Sequence, residues 1–152
     1  MREAQYQKHL FTKRWRPVMQ PAKEVTSIHI PLVAMLRWCI RPDVIWRHVP
    51  NGEHRDKRTA AKLKAMGVLP GSADLEFHWS ERGILPKERR VLHLELKNGK
   101  APMSDRQAEF ALAVKLLGDD YCIARSIDEA IAILGERGLL RRDVEVCGRR
   151  RR

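Results

Sequence analysis

Between Glu24 and Ile40 the apolar residues Ile28, Leu32, Val33, Met35, Leu36 and Cys39 recur at steps of three and four, the spacing of one helix face. Pro31 falls inside this pattern and either delays the helix start or kinks it. Arg41-Pro42-Asp43 breaks the pattern, and Val44 to Val49 then reads as a short strand closed by the turn Pro50-Asn51-Gly52. Arg55 to Met66 predicts a second helix, with Ala60, Leu63 and Met66 facing inward and Gly67 as its C-terminal cap. Ala73 to Trp79 and Val91 to Lys97 read as strands, joined by the polar connection 80–90. Ser104 followed by Gln107 is a capping box. The helix it opens carries Phe110, Ala111, Val114 and Leu117 inward and stops at Gly118. Tyr121 to Ala124 is a fourth short strand, and Ile127 to Glu136 a last helix. The order α-β-α-β-β-α-β-α predicts an α/β fold, one central mixed sheet flanked by helices.

A chain of 152 residues, 43% hydrophobic and 32% charged, is long enough for one domain with its own core and too apolar for a disordered segment. Its charge is unusual: the formal net charge is +11 and the pI about 10.1, which points to a polyanionic partner. That charge sits at the ends. Residues 1–23 carry net +5 and residues 141–152 net +4, while 24–140 carry only +2. The layout expected is a basic N-terminal arm (1–23), a domain (24–140) and an Arg-rich tail (141–152). Arg149, Arg150, Arg151 and Arg152 are either a solubilising tail or a nucleic-acid-binding arm. No apolar run approaches the roughly 20 residues that span a bilayer, and the basic N-terminus has no signal-peptide core, so no membrane partner and no secretion are expected. Cys39, Cys122 and Cys147 are odd in number and far apart, without zinc-ligand spacing. They fit a reducing, cytoplasmic setting.

The chemistry-bearing pattern is an acid at the start of one strand and an acid-x-Lys triplet at the end of the next: Asp74, then Glu95 and Lys97. Residues i and i+2 of a strand share a face, so Glu95 and Lys97 point together while Leu96 enters the core. A hairpin returns Asp74 beside them. Two carboxylates suit Mg²⁺ or Mn²⁺, hard cations that retain water, and such a cation activates water and neutralises a phosphodiester. A neighbouring lysine can orient or deprotonate the attacking water and stabilise developing charge. Alone, Leu-Glu-Leu-Lys is also what an ordinary solvated strand edge looks like.

Gly71-Ser72-Ala73-Asp74, then Leu94-Glu95-Leu96-Lys97, then Ser104-Asp105-Arg106-Gln107 at a helix start, together resemble the VRR-NUC domain, a branch of the PD-(D/E)xK nucleases. That family runs as a Gly-x-Pro-Asp turn, a Glu-x-Lys strand and a helix opening Ser-x-x-Gln; Ala73 stands where the proline is usual. His48-Val49-Pro50-Asn51-Gly52 and the basic helix ending at Gly67 are similar to single-domain bacterial and phage members, and the resemblance spans about residues 24–140. It implies a restriction-endonuclease-like core that hydrolyses DNA with Mg²⁺ or Mn²⁺ bound by Asp74, Glu95 and the main-chain carbonyl of Leu96. Lys97 would be the catalytic lysine and Gln107 a supporting residue. It also implies a homodimer acting on four-way junctions or other branched DNA in a bacterial or phage-infected cell.

The family tends to place a glutamate on its first helix near the metal. Glu24 is either that ligand or a first-turn acid on the helix dipole. His48 and Asn51 are phosphate contacts or turn residues. Arg55, Lys57, Arg58, Lys62 and Lys64 form a basic helix face, solvated or bound to phosphates. His29 and His93 are expected to pack against the core. The alternative function is a catalytically silent DNA-binding accessory protein with the same fold. An RNA-binding module lacks an aromatic-rich strand for base stacking.

Overall fold

The computed structural model describes residues 25–50, 57–80 and 88–142. A π-helical turn, Val25–His29, runs into α1 (Ile30–Cys39); α2 is Lys57–Ala65, α3 Asp105–Leu116 and α4 Ile127–Glu136. The strands are β1 (Ile45–His48), β2 (Leu75–Ser80), β3 (Arg89–Leu96) and β4 (Asp120–Ala124). They form one sheet in the order β1-β2-β3-β4. The β1–β2 and β2–β3 pairs are antiparallel, and β3–β4 is parallel. A parallel pair needs a crossover, which α3 provides. The element order is the one that the periodicity predicts.

Helices cover both faces of the sheet. On one, Leu32 and Leu36 of α1 and Leu134 of α4 meet Leu75, Phe77, Leu92, Leu94 and Leu96 in the larger core. On the other, Ala111 and Val114 of α3 close over Ala73 and Tyr121. Strand β3 is therefore buried from Val91 to Leu96 on both sides, and His93 and Glu95 are among its buried residues. That explains why its alternation is only partial in the sequence: a central strand has no solvent face.

Pro31 sits in the first turn of α1, where its missing N–H costs nothing, and the five residues before the helix, Val25–His29, wind as a π turn. The helix ends where Ile40 turns extended and bridges to Leu140. Arg41 locks this junction: its backbone amide donates to Leu139 O at 2.9 Å, its guanidinium to Gly138 O at 2.7 Å and to both oxygens of Asp43.

Several positions expected to face inward do not. Leu117 is 81% exposed because it is the C-cap of α3, where the chain leaves the helix through Gly118 at φ +87°. Met35 is exposed at the flank of α1. Ala60 of α2 and Met66 just beyond it are exposed, and Leu63 is half-buried. No helix among the described residues is long and apolar enough to cross a membrane.

Candidate functional site

The loop that delivers Asp74 is fixed by two small residues. Gly71 has φ +89°, and a Cβ there would lie 2.5 Å from the backbone oxygen of Arg106, in the first turn of α3. Only glycine combines that conformation with that approach. Ala73 is wholly buried among Ala111, Val114 and Tyr121. The loop and the helix start are thereby pressed together, which sets the position of Asp74 relative to Gln107.

Leu75 pairs with Leu94 across the β2–β3 hairpin, so Asp74, one residue earlier, stands opposite Glu95. Asp74 Oδ2 accepts the Leu96 amide at 2.8 Å. The Asp74 carbonyl accepts from the Val49 amide and from His48 Nδ1, each at 2.9 Å. Glu95 is only 2% exposed, and a buried carboxylate needs compensation. Lys97 Nζ lies 3.2 Å from Glu95 Oε1, and Gln107 Nε2 donates to the same oxygen. Lys97 Nζ also donates to Gln107 Oε1 at 2.8 Å. Gln107 is held by its capping box: its Oε1 accepts the Ser104 amide at 2.9 Å while its own amide donates to Ser104 Oγ at 3.3 Å. The residue that caps α3 is thus the residue that orients the Glu95–Lys97 pair.

The sequence-derived quartet of Asp74, Glu95, Lys97 and Gln107 is brought together, from a loop, a strand end and a helix start. The Leu96 backbone lies beside it through the Asp74 contact. His48 adjoins it through the Asp74 carbonyl, with an exposed ring. Arg58, Lys62 and Lys64 are exposed on α2, which Lys57 opens. Glu24, Asn51, Arg55 and Arg149 to Arg152 lie outside the described residues.

Two further residues border the site. His29 is buried in the π turn, its ring edge-on to His48 with centroids 4.6 Å apart. Burial and His48 hold its pKa below the ordinary imidazole value, and Asp74 partly opposes them. Tyr121 of β4 is buried, and its hydroxyl has no hydrogen-bond partner among the described residues. Burial, and then the charges of Glu95 and Asp74, push its phenol well above the usual range. Leaving such a hydroxyl unpaired costs roughly 1–3 kcal/mol. Neither residue carries a local sequence signal, because the partner of β4 and the site of the π turn are settled by tertiary packing.

One step along the same sheet face stands a second polar group. Arg47 Nε donates to Glu76 Oε2 at 2.8 Å, with His78 Nε2 at 3.6 Å and His93 Nδ1 at 3.5 Å from the Glu76 carboxylate. Burial pushes the Glu76 carboxyl up, but the Arg47 hydrogen bond and charge, together with His93 and His78, outweigh it and leave the pKa low. His93 packs edge-on against Phe110 at 5.4 Å, and burial lowers its pKa. His29 and His93 are both core residues, as the sequence suggests.

Among the described residues no group of three or more His, Cys, Asp and Glu side chains is arranged to hold a metal ion. Asp74 and Glu95 form a two-carboxylate set, which fits Mg²⁺ or Mn²⁺ when water and substrate oxygens complete the shell. The orphaned Tyr121 hydroxyl beside them fits a site that takes up an oxygen ligand. An open groove is lined by Ser27, Met35, Asn98, Arg125 and Ser126, and neither Asp74 nor Glu95 is among its lining residues. Comparison with protein-family models, curated proteins and solved structures finds no match to this chain.

Proposed function

We propose that this chain is a metal-dependent DNA endonuclease of the VRR-NUC type, in the PD-(D/E)xK superfamily. The observation that carries the reading is the convergence of Glu95, Lys97 and Gln107 in one hydrogen-bonded cluster, with Asp74 opposite Glu95 and bonded to the Leu96 amide, in a strongly basic chain. Chance acid-x-Lys strand edges are solvated; this one is buried and tied to a helix cap.

In that reading Asp74 and Glu95, with the Leu96 carbonyl, would hold Mg²⁺ or Mn²⁺, which when bound supplies charge neutralisation at the scissile phosphate and a more acidic water. Lys97 orients the attacking water and stabilises the charge that grows on phosphorus. Gln107 keeps Lys97 and Glu95 in register. The basic face of α2 and the terminal arginines contact the DNA backbone without reading sequence, which suits selection by DNA structure, such as a four-way junction. Ile30 and the 78%-exposed Trp38 on α1 offer an apolar face for a second copy of the chain, and a symmetric pair would present two sites to two strands.

The test is incubation of purified protein with labelled duplex, flap and four-way-junction DNA in Mg²⁺, Mn²⁺ or EDTA. Metal-dependent cleavage that Asp74→Asn abolishes is the expected result. DNA binding without cleavage in either metal would overturn it and favour the catalytically silent accessory protein. Sedimentation at micromolar concentration should give about twice the 17.7 kDa chain mass.

A further inference from the structure

We propose that Tyr121 is a positioning residue of the Asp74–Glu95 site, its hydroxyl donating a hydrogen bond to an oxygen ligand, a water or phosphate oxygen, that enters with a divalent cation. This rests on the metal-dependent reading above. Strand β4 runs parallel beside β3, with Tyr121 paired to His93 and Ile123 to Glu95, so Tyr121 lies on the same side of the sheet as Glu95. Its ring is clamped by Phe110, at a centroid distance of 6.2 Å, and by Ala73, Ala111 and Val114.

Everything that packs around the ring would be served equally by phenylalanine. The hydroxyl is what needs a reason: it is buried and lacks a partner among the described residues. Buried hydroxyls are nearly always paired, and an exception on the sheet face that carries two carboxylates marks a group whose partner arrives with the ligand. Burial, and then the charges of Glu95 and Asp74, keep the phenol protonated, so at neutral pH it is a donor and not a base. A carboxylate pair with a cation gathers oxygen acceptors, and a lone fixed donor at their edge orients one of them.

Titration of the protein with Mn²⁺ by calorimetry tests this, comparing wild type with Tyr121→Phe. The variant should melt no lower than wild type, since it loses only an unpaired group, yet bind Mn²⁺ about 10-fold more weakly. Equal Mn²⁺ affinities would overturn the role of Tyr121 and leave the nuclease reading standing. A wild type that binds no Mn²⁺ would overturn both. A second measurement does not depend on the variant. The chain has two tyrosines, Tyr6 and Tyr121, so ¹³Cζ-labelled tyrosine gives two NMR signals, which Tyr6→Phe assigns. Saturating Mg²⁺ should shift the Tyr121 signal, and an unmoved signal would refute the hydrogen bond.

Discussion

Gly71→Ala isolates the contact on which the site's geometry depends. Gly71 and Gly118 flank α3 at opposite ends with nearly the same backbone, φ +89° and φ +87°. Among the described residues a Cβ at Gly118 meets nothing within 4 Å, whereas one at Gly71 lies 2.5 Å from Arg106 O and 2.7 Å from Arg106 C. Alanine at either position carries the left-handed strain of about 1–2 kcal/mol. At Gly71 the backbone of α3 must also retreat, adding an overpacking term of about 1–3 kcal/mol. The sums are about 1–2 kcal/mol for Gly118→Ala and about 2–5 kcal/mol for Gly71→Ala. At roughly 2–4 °C per kcal/mol for a domain of this size, melting should fall by about 2–8 °C and about 4–20 °C respectively. The entropy that alanine removes from the unfolded chain is common to both and cancels in the comparison. Because the displaced turn carries Gln107, cleavage by Gly71→Ala should drop by about 100-fold, while Gly118→Ala cleaves normally. Thermal melts followed by circular dichroism, with cleavage rates at a temperature where both variants are folded, would check this. Equal melting temperatures, or full activity in Gly71→Ala, would refute the claim that this contact sets the Asp74–Gln107 spacing.

Lys97→Ala should abolish cleavage and cost about 3–5 kcal/mol in urea unfolding, because Glu95 is then buried without its ammonium. Adding Glu95→Gln should recover much of that stability and none of the cleavage; Asp74→Asn retains an acceptor for the Leu96 amide and should melt near wild type. Removal of residues 143–152 deletes Arg149 to Arg152 but spares the Arg141 amide, which donates to Cys39 O at 2.8 Å. DNA affinity should fall, and the log–log salt slope should flatten by about 0.9 for each phosphate that the tail no longer neutralises; an unchanged slope would make the tail a bystander. His29 and His93 have folded pKa values held below the ordinary 6.5, chiefly by burial, so the unfolded chain takes up protons first on acidification. Their contribution is present above about pH 6.5 and is lost as pH falls from there toward their folded values. The low Glu76 pKa adds a further loss below its ordinary 4.5. The urea midpoint should therefore hold from about pH 8 to 7 and decline below about 6.5, and a midpoint that rises on acidification would contradict the burial of both rings.

The sequence by itself determined the elements and their order, since each is written in local terms: the three- and four-residue steps of α1, the Ser104–Gln107 box, the glycines at 67 and 118. It also determined the pairing of Asp74 with Glu95 and Lys97, because a hairpin and a two-residue strand period suffice to bring them together. Burial was less legible. Leu117 and Met66 look like core residues by spacing, yet which helix flank is covered depends on what packs there. Only the tertiary structure decided that Glu95 is buried, that the capping Gln107 reaches across to Glu95 and Lys97, and that Gly71 touches Arg106. The same holds for Tyr121, which lies on the sheet face of Glu95 because the crossover through α3 lays β4 parallel to β3. These contacts join residues that no short-range period relates, and their cause is the closure of α3 over the sheet, which forces a buried carboxylate to find its partners.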